Sequence, residues 1–66
     1  MKNILRELRR ERKFTQDELA KALGVSRQTI NAIENDKYNP TLELAIRLAR
    51  FLDIPVEKLF ILEDEK

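Results

Sequence analysis

The sequence predicts an all-α domain of five helices, and three observations carry that reading. Apolar residues recur at spacings of three and four, capping residues stand at regular intervals, and no alternating strand pattern precedes the C-terminal tail. A chain of 66 residues holds one domain, spanning 1–66, and its 42% apolar content is enough for a single small core. No internal repeat, low-complexity stretch or linker interrupts it.

The first helix is expected over 4–13, where Ile4, Leu5 and Leu8 fall on one stripe. Thr15 through Glu18 reads as a capping box, in which Thr15 accepts from the third helical N–H and Glu18 reaches back. Phe14 and Leu19 stand at the positions of a hydrophobic staple. The second helix then runs through Leu23 and stops at Gly24, suited to a left-handed cap. Ser26 caps a third helix, with Val25 and Ile30 at staple positions, and the short connection forces the two helices to meet steeply. Residues 35–40 are rich in turn formers. Thr41 caps a fourth helix reaching about Leu52, and Ile54-Pro55 opens a short fifth helix through Phe60, with Pro55 in its first turn. The tail, 61–66, is apolar and then acidic.

Composition excludes most chemistry. The sequence has no Cys and no His, so it offers no disulfide, no thiol nucleophile and no imidazole base or metal ligand. One glycine cannot build a Gly-rich phosphate loop. No apolar run approaches a membrane span and no signal peptide opens the chain, so a soluble cytoplasmic protein is expected, without cofactor, metal, small-molecule ligand or membrane partner. An enzyme is the weak reading.

Net charge is +1, but its distribution is uneven. Residues 1–40 carry nine Lys and Arg against six Asp and Glu, and residues 41–66 carry four against six. A basic front and acidic back suit a protein that lays one face on a polyanion, with a solvated, salt-bridged surface as the competing reading.

A wheel of about 100° per residue sorts the third helix. Ile30 and Ile33 define its core side, Glu34 lies near the core boundary, and Gln28, Asn31 and Ala32 face outward with Arg27 at the edge. That outer face carries no carboxylate. Arg and Gln each make two hydrogen bonds in one plane, matching guanine O6/N7 and adenine N6/N7 in a major groove, so Arg27, Gln28, Asn31 and Ala32 are the candidate base readers. Ala32 could at most touch a thymine methyl.

Leu8-Arg9, FTQDELAKALGVSRQTINAIEND at 14–36, and Asn39-Pro40 with the TLELAIRLARFLDI run to 54 together resemble the Cro/C1-type, or Xre-family, helix-turn-helix repressors. The resemblance covers roughly 4–60, with the helix-turn-helix at about 15–34, and implies a lambda-repressor-like fold. Ala20 would allow close helix approach, Gly24 would make the turn, and Ile30 and Ile33 would dock the recognition helix. The resemblance further implies DNA phosphate contacts from Gln16, Ser26, Asn35, Lys37, Tyr38 and Asn39. It pairs Arg9 with Glu34 as a structural ion pair. The other cations of the first helix, Arg6, Arg10, Arg12 and Lys13, read as solvated. The chain departs from the family at Lys13 and Asp36, where glycine is common; Asp tolerates left-handed backbone moderately and Lys less well, so both loops are open to a different shape.

The fourth helix presents an apolar arc of about 220°, against the roughly 100° one buried face requires. Short stand-alone members of the family, including repressors of the cytolysin type that this chain resembles in size, pair through the fifth helix and tail. The expectation is a homodimer through about 51–63, with Phe51, Ile54, Leu59, Phe60, Ile61 and Leu62 at the interface, and with the tail as a short antiparallel strand across the axis. The alternative is that these residues complete the monomer core. The functional expectation is a sequence-specific double-stranded DNA-binding regulator, probing the major groove as a repressor dimer. An antitoxin-like or adaptor protein-binding module on the same fold is the rival.

Overall fold

The computed structural model describes residues 1–63; the acidic end of the tail expected from the sequence, 64–66, lies outside the described residues. Five helices follow one another: α1 (Leu5–Glu11), α2 (Gln16–Leu23), α3 (Arg27–Glu34), α4 (Leu42–Phe51) and α5 (Val56–Leu59). Two short strands, β1 (Lys2–Asn3) and β2 (Phe60–Ile61), precede and follow them. Leu5, Leu19, Ile30, Ile33, Leu48, Leu52 and Leu59 form the fully buried centre, to which each of the five helices or its cap contributes.

Three helix starts use side-chain caps. Thr15 Oγ1 accepts from Glu18 N at 3.0 Å while Glu18 Oε1 accepts from Thr15 N at 2.8 Å, completing the capping box. Ser26 Oγ accepts from Thr29 N at 3.1 Å, and Thr41 Oγ1 from Leu44 N at 3.2 Å. Each cap satisfies an N–H that the helix itself leaves without a partner.

The first four helices all end in one way. A left-handed residue follows each: Lys13 (φ 63°), Gly24 (φ 72°), Asp36 (φ 59°) and Asp53 (φ 56°). After each one the chain closes back on the helix, as Phe14 N donates to Arg9 O, Val25 N to Ala20 O, Lys37 N to Ala32 O and Ile54 N to Ala49 O. This is the Schellman arrangement, and only one of the four uses glycine. The loops at Lys13 and Asp36 thus keep the tight turn despite their side chains, and α1 stops at Glu11 instead of reaching Lys13.

Two arginines satisfy helix ends from a distance. Arg47 Nη2 donates to Leu23 O at the end of α2, at 2.9 Å. Arg12 Nη1 donates to Leu52 O after α4, so this side chain, expected in solvent, ties α1 to α4.

The tail is where the sequence reading needs correction. It does become a strand, but β2 pairs antiparallel with β1 of the same chain, Lys2 opposite Ile61 and Asn3 opposite Phe60. Ile4 N also donates to Leu59 O at 3.1 Å, extending this clasp between the two ends. Helix α5 consequently ends at Leu59, and Pro55 is its N-cap, one residue before its first turn. Leu59 and Phe60, expected at a dimer interface, are buried in the core of their own chain. A short helix followed by a strand turns both inward, so for these two residues the alternative, completion of the monomer core, is the one the structure has.

Candidate nucleic-acid interface

Helix α3 has two unlike faces. Its rear carries Ile30 and Ile33, both with no exposed surface, and Glu34, whose side chain is likewise fully buried. Burial of a carboxylate demands hydrogen-bond donors, and four reach it. Arg9 Nε donates to Glu34 Oε2 at 2.6 Å and Arg9 Nη2 to Oε1 at 3.2 Å, a two-pronged pair. Gln16 Nε2 donates to Oε1 at 3.0 Å, and Arg6 Nε approaches it at 3.4 Å. Arg9 Nη1 donates in turn to Phe14 O at 2.8 Å. Burial pushes the Glu34 carboxyl up, but hydrogen bonds from Arg9 and Gln16, the Arg9 charge and the Arg6 hydrogen bond outweigh it, holding it below the usual glutamate value. Helices α1, α2 and α3 thus meet at one ionised carboxylate.

The C-terminal end of α3 is fastened as well. Asn3 Nδ2 donates to Ile33 O at 2.8 Å and to Asp36 Oδ1 at 3.1 Å, while Asn3 Oδ1 accepts from Leu5 N at 3.0 Å. Sequence reasoning missed Asn3 and Arg6, because partners 28 to 33 residues apart leave no local signal. Arg6 Nη2 also donates to Asn35 Oδ1 at 2.6 Å, and Asn35 Nδ2 donates to Asn31 O and Oδ1 at 3.0 and 3.1 Å.

The front of α3 is different. Arg27, Gln28 and Asn31 are exposed and Ala32 is half-buried beside them. No carboxylate stands on this face, since the helix's single acid is sealed behind it. Around its N-terminal half lies a shallow groove formed by α1, the start of α2 and α3, with Arg6, Arg10, Lys13, Gln16, Asp17, Arg27 and Asn31 in its walls.

The residues expected at phosphates divide into two groups. Lys37, Tyr38 and Asn39 are exposed in the loop after α3. Ser26, Gln16 and Asn35 already have protein partners: the N-cap bond, Glu34, and the Arg6–Asn31 link. Gln16 nonetheless heads α2, where helix geometry leaves its backbone N–H without an intrahelical acceptor.

Among the described residues no cluster of acids could hold a metal ion, no buried side-chain polar atom lacks a partner, and no helix is long and apolar enough to cross a membrane. Comparison with known proteins then decides the family. A helix-turn-helix family profile matches residues 5–59.

The chain belongs to the Cro/C1-type helix-turn-helix family.

Its relatives agree. An uncharacterized HTH-type transcriptional regulator of Methanocaldococcus jannaschii is 52% identical over 66 residues, covering all of both chains. Another such regulator, from Archaeoglobus fulgidus, is 47% identical over the whole of this chain and 94% of its own length. Among solved structures, the restriction-modification controller protein C.AhdI from Aeromonas hydrophila superposes with a TM-score of 0.76 at 36% identity, over 85% of each chain. The protein is a DNA-binding transcriptional regulator and not an enzyme.

Proposed function

We propose that this regulator is a repressor that binds a near-palindromic operator as a two-fold homodimer, with α3 of each copy in the major groove. The observation that carries the reading is the front of α3: Arg27, Gln28 and Asn31 exposed together on a carboxylate-free face, on a helix whose rear is fixed at Glu34. Arg27 and Gln28 present planar donor and acceptor groups of the kind that read base edges, with Asn31 and Ala32 beside them. Lys37, Tyr38, Asn39 and the N–H of Gln16 supply contacts to phosphate, with Ser26 and Asn35 flanking the readers. Repression follows by occupation of the site.

For the dimer, the supporting feature is apolar surface on the C-terminal third. Leu62 is 82% exposed, and Ile46, Phe51 and Ile61 are also exposed, while Ile46 and Ile54 share a shallow groove between α4 and α5. Leu59 and Phe60 drop out of the interface, being core residues. Phe51 packs on Phe14, ring centroids 5.4 Å apart, so the pairing surface centres on Ile46, Ile54, Ile61 and Leu62. Self-complementary pairing of such a patch sets the two recognition helices about one DNA turn apart, roughly 34 Å.

Selection of bound sites from random duplexes tests the reading. The expected product is a near-palindrome with half-sites one helical turn apart; enrichment of no sequence would refute it. Sedimentation at micromolar concentration should give a dimer for the unmodified chain and a monomer for Leu62→Asp. A monomeric unmodified chain would remove the homodimer from the account.

A further inference from the structure

We propose that α1 carries a phosphate-gripping wall, made by Arg10 and Lys13, that holds the DNA backbone alongside the groove entered by α3. The proposal rests on the reading of α3 as the groove-entering helix and adds two phosphate-binding residues that neither the sequence pattern nor the family likeness assigns.

Five cations lie between residues 6 and 13, and the structure separates them into two classes. Arg6 and Arg9 serve Glu34, and Arg12 serves the Leu52 carbonyl. Arg10 and Lys13 remain: both are exposed, and neither has a carboxylate within ion-pair distance among the described residues. These two line the same groove as Gln16, Arg27 and Asn31. The one acid that lines it among the described residues, Asp17, pairs with Lys21, Oδ2 to Nζ at 3.4 Å.

Lys13 makes the case sharper. It occupies the left-handed turn after α1 at φ 63°, a conformation in which glycine is unstrained and a side chain is not. The turn needs no ammonium group, but this one projects from a corner that forms the wall of the groove. Cations left without acid partners beside an exposed base-reading face match a phosphodiester backbone in charge, and phosphate contacts are what fix a recognition helix in register. The wall would grip the strand that passes the N-terminal end of α3, opposite the loop carrying Lys37.

The test measures affinity for a duplex selected by the unmodified chain, and for a scrambled one, as a function of salt. Removing a cation that neutralises one phosphate should flatten the plot of log affinity against log salt by about 0.9. Arg10→Gln and Lys13→Gln should each do so, weakening both duplexes alike and leaving the selected sequence unchanged. Lys58→Gln on α5, outside the groove, should leave the slope as it was. Lys13→Gly should melt no lower than the unmodified chain yet show the same flattened slope, and Lys13→Arg should restore it. Unchanged slopes in both Gln variants would overturn the wall. Absence of salt-dependent duplex binding by the unmodified chain would instead overturn the reading of α3 beneath it.

Discussion

The two faces of α3 share eight residues and behave oppositely. Behind, Ile30 and Ile33 are fully buried and Glu34 accepts from Arg9, Gln16 and Arg6. In front, Arg27 and Gln28 are exposed, and Asn31 accepts from Asn35. The difference teaches how, on the proposed reading, a helix of barely two turns serves as a reading device. Its position is set by the core, a buried ion pair and the Asn3 clasp, so the outer side chains are free of any part in holding the fold. Rigidity and the proposed recognition lie on different sides of one cylinder.

Breaking the rear should produce the largest effect. Arg9→Met leaves a buried carboxylate without its main partner and should cost about 3–5 kcal/mol of stability. Replacing both partners, Arg9→Met with Glu34→Leu, should cost less than Arg9→Met alone, because no orphaned charge remains; strict additivity in a denaturation cycle would mean the pair is not coupled. Acid probes the same carboxylate. With the Glu34 carboxyl held below its unfolded value, its contribution is fully present above the usual glutamate range. It is lost as pH falls through the lower, folded value. Glu34→Gln should therefore weaken the acid dependence of the melting temperature below about pH 4.5 and leave its slope at neutral pH unaltered.

Changes at the front should be intermediate in size and should leave the fold alone. Gln28→Ala is expected to lose about 1–3 kcal/mol of binding to the selected site, with melting unchanged to within about 0.5 kcal/mol. A large drop in melting temperature would show that Gln28 belongs to the rear.

The smallest effects concern the left-handed turns. Asp53→Gly relieves a strained φ without removing a hydrogen bond in the structure, and should stabilise by about 0.5–1 kcal/mol. Asp36→Gly relieves a similar strain but removes the acceptor for Asn3 Nδ2, so its gain should be smaller. Thermal melting of the two variants decides; equal gains would mean the Asn3–Asp36 bond contributes nothing.

How much of this was legible in the sequence follows from the range of each interaction. The caps at Thr15, Ser26 and Thr41 and the stop at Gly24 are local, and local signals survive in a linear string. The outward placement of Gln28 and Asn31 followed from helical periodicity alone. The strand pair was not legible as built, because a two-residue ladder has no alternation to detect and its partner lies at the opposite end of the chain. The same holds for Asn3, Arg6 and Arg12, whose acceptors are 28 to 40 residues away. Lys13, Asp36 and Asp53 reveal a further limit. Glycine announces a left-handed cap, but backbone hydrogen bonds impose the same turn on other residues.

The most direct test of the division between the two faces is the specificity ratio of Arg27→Ala, its affinity for the selected duplex over that for a duplex changed at one base pair, at fixed salt. Discrimination at one position should collapse while the melting temperature stays at the value of the unmodified chain. An unchanged ratio, with the same preferred sequence, would contradict the assignment of the α3 front to base reading.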